Sequence, residues 1–155
     1  MTKNGIALTV VAVMLGVVYA IYFTDWFRSQ TIQIYPTIRP TQASAIPRDP
    51  GMPAVYPVSF AFDNKYRLSS VKVVLEEELR TNKYPTPLWH MVSDIGSPPQ
   101  KSIIYGFRIK NMKPALPRAR PQPLLPNVQY VLQVEAGKAK GQTNFFTKEA
   151  VEPPR

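Results

Sequence analysis

The chain contains no cysteine and a single histidine among its 155 residues. Without thiols it has neither a disulfide framework nor a thiolate metal site. His90 alone cannot build a multi-histidine centre, nor can a second imidazole assist it as a base. Next to Trp89 on a strand it points to the face opposite the tryptophan, which makes it a surface or rim residue if Trp89 enters the core. Glycosylation signals are missing too: the asparagines are followed by Gly-Ile, Lys-Tyr, Lys-Tyr, Met-Lys, Val-Gln and Phe-Phe. That favours a bacterial envelope protein over a glycosylated ectodomain. There is no Gly-x-Ser-x-Gly elbow and no phosphate-binding glycine loop, and Ser69 and Ser70 have no base at a recognisable spacing. Glu76, Glu77 and Glu78 are consecutive, so on a strand they would alternate between faces. Such a run fits a solvated strand end or loop better than a pair of carboxylates around one bond. No enzyme is expected, and no catalytic, cofactor-binding or metal-ligating residue is assigned.

What the chain does have begins with GIALTVVAVMLGVVYAIYF, residues 5–23, which carries no charge. Nineteen residues in a helix span roughly 28 Å, close to the hydrocarbon thickness of a bilayer. Tyr19, Tyr22, Trp26 and Phe27 gather at its far end, where aromatic rings favour the membrane–water boundary. Val18-Tyr19-Ala20 also resembles a signal-peptide cleavage site. The apolar run continues through Phe23, however, and only Lys3 precedes it, which favours an uncleaved anchor. The expected partner of residues 5–23 is therefore the lipid bilayer. The arrangement expected is a single-pass protein of the bacterial cytoplasmic membrane, with residues 1–4 as a short cytoplasmic tail and the C-terminal domain extracytoplasmic.

Residues 24–54 carry prolines at 36, 40, 47, 50 and 53 and read as a juxtamembrane spacer. Within it, TIQIYPTI (31–38) alternates well enough for an edge strand, but the spacer reading is preferred. From Val55 the pattern changes to short alternating segments separated by turn signals, and the domain is expected over 55–148, with 149–155 as a tail. In SIIYGFRIK, Ile103, Tyr105, Phe107 and Ile109 would share one face of a single strand. In YVLQVEAG, Tyr130, Leu132, Val134 and Ala136 oppose Val131, Gln133 and Glu135. A turn over Gly137–Gly141 leads into QTNFFTK, giving a terminal hairpin. Residues 57–62, 67–75 and 87–93 supply the other strands. The valines of 71–74 decide the middle one against a helix, where β-branched side chains lose rotamer freedom.

LLPNVQY places Leu124, Pro126 and Tyr130 just before an alternating strand, a glycine-containing turn and a last strand. This resembles the end of a fibronectin type III domain, in which a tyrosine opening the penultimate strand closes a corner on upstream backbone. The resemblance implies an all-β fold: a small antiparallel fibronectin III/Ig-like sandwich preceded by one transmembrane α-helix. It implies a structural corner at Leu124, Pro126 and Tyr130. The motif lies in the final third of the region, and no tryptophan occupies the early strands.

The net charge is +9, and after residue 54 fifteen bases face eight acids. Arg108, Lys110, Lys113, Arg118 and Arg120 lie within thirteen positions without an intervening acid. Lys138 and Lys140 would join them if the terminal hairpin adjoins that connection. This candidate binding patch suits an anionic polymer such as wall polysaccharide, lipid headgroups or DNA. It lacks the interleaved aromatics that stack bases, so nucleic acid is not the expected partner. KPALPRARPQP, residues 113–123, reads as a stiff exposed crossover that presents Arg118 and Arg120. The combined plan points to a noncatalytic membrane-anchored envelope protein whose β domain contacts another protein or serves as an accessory subunit. Binding of an anionic polymer is the alternative.

Overall fold

The computed structural model describes residues 3–23, 30–39, 51 and 53–150. Residues 1–2, most of the expected spacer and the tail beyond residue 150 lie outside these, as do Asp25, Trp26, Phe27 and Arg28.

Helix α1 runs over Lys3–Phe23 and buries no residue. Among the described residues nothing covers its apolar side chains, and its length and composition are sufficient to cross a membrane. The hydroxyl of Thr9, the one polar side chain in its middle, donates to the Gly5 carbonyl at 2.9 Å. That satisfies it within the helix, as a lipid environment demands. Tyr19 and Phe23 stack at 5.2 Å one turn apart.

The rest is mostly β, in two antiparallel sheets. One contains β1 (Ile34–Ile38), β2 (Val58–Tyr66) and β5 (Gln100–Ile104) in the order β1-β2-β5. The other holds β3 (Ser70–Leu75), β4 (Trp89–Val92), β6 (Lys113–Pro114), β7 (Gln129–Ala136) and β8 (Ala139–Phe146), in the order β6-β4-β3-β7-β8. Phe60 and Phe62 from the first sheet share a buried cluster with Val71, Val73, Trp89, Leu132, Val134 and Phe145 from the second. Phe60 meets Phe145 edge-on at 4.9 Å, the geometry that aromatic quadrupoles prefer.

Several expectations change. The 24–54 segment is not spacer throughout, because β1 pairs with β2 from Ile34↔Phe62 to Ile38↔Val58. Pro36 is accommodated because β1 is the outer strand of its sheet. Just before it, Ile32 donates to Lys140 at 2.9 Å and Lys140 to Gln30 at 3.0 Å, a parallel contact with β8. The first stretch of the domain thus joins both sheets. Gly141 makes this approach feasible: a Cβ there would sit 2.6 Å from the Ile32 carbonyl oxygen.

The strand expected through 102–110 ends at Ile104, since Gly106 turns the chain at φ 80°. Ile103, Tyr105 and Ile109 still enter the core while Phe107 is exposed. Glu76–Thr81 forms a short helix, α2, instead of a strand end or loop. It lies against β3 and β7, whose Val74 and Val131 pair and are fully buried.

Candidate functional site

The connection from β6 to β7 is anchored at both ends of an outward excursion. Ala115 donates to the His90 carbonyl and Gln122 to the Leu88 carbonyl, each at 3.0 Å, so the bonds to β4 and to the residue before it bracket the excursion. Between them the chain turns with Ala119 bonded to Leu116, and Arg118 adopts φ 63°. The Tyr105 hydroxyl donates to the Gln122 carbonyl at 2.7 Å and fixes the return. Its ring meets Trp89 edge-on at 5.3 Å. Burial pushes the Tyr105 phenol far above its ordinary range, so it stays a donor at any physiological pH. KPALPRARPQP is therefore a connection, as expected, but its first two residues add a strand to the sheet.

A cleft of about 620 Å³ opens between this excursion, β4 and the turn after β5. Its apolar lining includes Leu88, Phe107, Met112 and Leu116, and its basic side chains are Arg108, Lys113 and Arg120. Among the described residues no carboxylate lines it. Leu116 is 67 % exposed, a large apolar side chain held out by the prolines around it. His90 lines the cleft too, half-buried rather than freely solvated. Its imidazole is held below the ordinary value, first by burial and then by the Lys72 ammonium, with Glu135 opposing.

The seven expected basic residues do not form one patch. Arg108, Lys113 and Arg120 meet at the cleft, whereas Lys110 and Arg118 are exposed but not part of its lining. Lys138 and Lys140 lie on the β7–β8 hairpin, and β8 is the opposite edge of the five-stranded sheet from β6. The hairpin therefore does not adjoin the connection. Lys113 pairs with Asp94 and Lys140 with Glu135, each at 3.1 Å on well-exposed side chains. Such pairs contribute little energy and mainly offset local charge.

Sequence reasoning missed Phe107, Leu116 and His90 as lining residues. An exposed leucine between prolines in a basic loop was the available signal.

At the expected corner, Tyr130 is buried and its hydroxyl accepts from the Leu125 N–H at 3.0 Å. Leu124 packs against the core, and Pro126 enters a turn in which Asn127 takes φ 59°. Thr147, fully buried, ties the same turn: its hydroxyl donates to the Leu125 carbonyl and accepts from the Val128 N–H. The glutamates of α2 act as local acceptors, Glu76 from Asn144 and Glu78 from the Thr86 N–H. Among the described residues no group of three or more His, Asp or Glu side chains is placed to hold a metal ion.

No family model, curated protein or solved structure matches the chain.

Proposed function

We propose that the chain is a noncatalytic, single-pass envelope protein of the bacterial cytoplasmic membrane whose β domain contacts another protein, as an accessory subunit of a membrane complex. The cleft beside β4 carries this reading. It combines apolar side chains with Arg108, Lys113 and Arg120 and, among the described residues, has no carboxylate in its lining. Apolar surface that a monomer leaves open at such a place suits a partner segment with apolar and acidic side chains. The uncovered apolar helix α1 supports membrane anchorage. Its orientation, with the amino terminus cytoplasmic and the domain outside, belongs to the same proposal. The domain is proposed to be a fibronectin III/Ig-like sandwich, supported by the strand order β1-β2-β5 against β4-β3-β7-β8 and by the Tyr130 hydroxyl bond.

Co-purification of the full chain in mild detergent tests the function. Leu116→Glu should remove the partner while leaving the thermal midpoint unchanged, because the side chain is exposed. A chain that runs alone as a monomer, whether or not Leu116 is altered, would overturn the proposal.

The basic side of the cleft also favours a second reading, in which the excursion binds an anionic polymer. Replacing Arg118 and Arg120 with Ser should then weaken binding and flatten its salt dependence. Binding that is insensitive to salt would eliminate it.

A further inference from the structure

One end of the β domain is fixed close to whatever surface holds α1. Only residues 24–29 separate Phe23, the last residue of the helix, from Gln30, whose carbonyl accepts from Lys140. Seven Cα steps reach at most about 25 Å when fully extended. Gln30 lies at the end of the domain that carries the β7–β8 turn, since Lys140 pairs with Glu135 beside it. Strand registers identify what else shares that end. Glu135 pairs with Ser70 and Ser70 with Val92, which brings in the β2–β3 and β4–β5 connections. Tyr66 pairs with Gln100, adding the start of β5.

This end is basic. Lys65, Arg67, Lys101 and Lys138 are exposed there. Of its carboxylates, Asp94 and Glu135 are each paired with a lysine, and Asp63 accepts from the Gln33 N–H and the Tyr66 hydroxyl. Lys65, Arg67 and Lys101 take part in neither ion pair. Ile95, in the β4–β5 connection, is 78 % exposed and projects from the same end. The three consecutive glutamates, Glu76 to Glu78, sit at the opposite end, just beyond the Leu75↔Tyr130 pair. The domain is thus polarised, with exposed bases and an exposed isoleucine toward its tether and the acid cluster away from it.

We infer that this end rests on the membrane that α1 enters, with Lys65, Arg67, Lys101 and Lys138 against anionic phospholipid headgroups and Ile95 at the acyl boundary. The inference depends on the membrane-anchored reading above. It concerns a different surface from the cleft beside β4; the two meet at Lys113, which lines the cleft and pairs with Asp94, and the cleft stays free for a protein partner. Each basic side chain near an anionic bilayer shifts the docked-to-undocked ratio about fivefold, and a short tether adds a high effective concentration.

Because the chain has no cysteine, a single introduced one can be labelled uniquely. The full chain would be reconstituted as Ile95→Cys, Tyr84→Cys or Met14→Cys, each carrying an environment-sensitive fluorophore, in vesicles with and without phosphatidylglycerol. Tyr84 follows α2 at the far end and is equally exposed. Lipid-borne quencher should quench the label at 95 several-fold more than the label at 84, only in anionic vesicles. High salt should abolish the difference, and so should the combined change Lys65→Gln, Arg67→Gln and Lys101→Gln. Equal quenching at 95 and 84, or quenching at 95 indifferent to lipid charge, overturns the inference. The label at 14 reports on anchorage separately. If an aqueous quencher reaches it, the membrane-anchored reading fails and this inference with it. If it is protected while 95 is not quenched, only the inference fails.

Discussion

Two side chains at the cleft have consequences that single substitutions can measure. Burial beside Lys72 holds the His90 imidazole below its ordinary 6.5, so on acidification the unfolded chain binds this proton before the folded one does. The stability contribution is complete above 6.5 and is lost as pH falls toward the folded value. The denaturant midpoint should therefore decline through that window, and His90→Gln should make the decline shallower. Tyr105 sits above the pivot of the loop, donating to the Gln122 carbonyl. Tyr105→Phe removes one hydrogen bond, worth about 1 kcal/mol, and should accelerate trypsin cleavage after Arg118 by freeing the return of the excursion. An unchanged cleavage rate would mean that the two backbone bonds bracketing the excursion hold the loop without help. Neither role could be read from the sequence. The single histidine was legible as a residue beside Trp89, but the ammonium that adds to the effect of burial belongs to Lys72, which faces it only across the β3–β4 register.

Among the elements, β7 and β8 were legible from their period of two, which burial follows closely along β8, whereas β7 buries Tyr130, Val131 and Leu132 in succession. The same reading overextended β5. Alternation continues through Gly106 in the sequence, yet a residue at positive φ ends the pairing while Ile109 returns to the core by another route. Helix α2 escaped notice because it lacks a side-chain cap bond, and its glutamates find partners distant in sequence, Glu76 at Asn144 and Glu78 at the Thr86 N–H. β1 was legible as an edge strand in the alternation of 31–38, where a proline is tolerated, but the spacer reading was preferred to it. Its true requirement lies more than a hundred residues away, at Gly141. Gly141→Ala should cost about 1–3 kcal/mol by overpacking against the Ile32 backbone, measured by urea denaturation. Hydrogen exchange should rise at Ile32 and Lys140 before it rises in β3 or β7.

For the whole molecule, the closeness of Gln30 to the end of α1 matters more than any spacer length. Inserting ten flexible Gly/Ser residues between Phe23 and Gln30 should leave the denaturation midpoint unchanged, because no described contact is removed. The same insertion should reduce lipid quenching of a label at position 95, because a longer tether lowers the effective concentration of the domain at the bilayer. Unchanged quenching would indicate that the basic end docks without needing its tether. The split pairing of the first stretch has a mechanical side as well. Residues 30–38 run in the same direction as β8 and opposite to β2, bonded first to one and then to the other. A pull from the anchor acts along this stretch, so it loads those backbone bonds together in shear instead of opening them one at a time. If a partner grips the cleft while the bilayer moves, the chain carries the tension through the joint between its sheets, and the core behind that joint is spared.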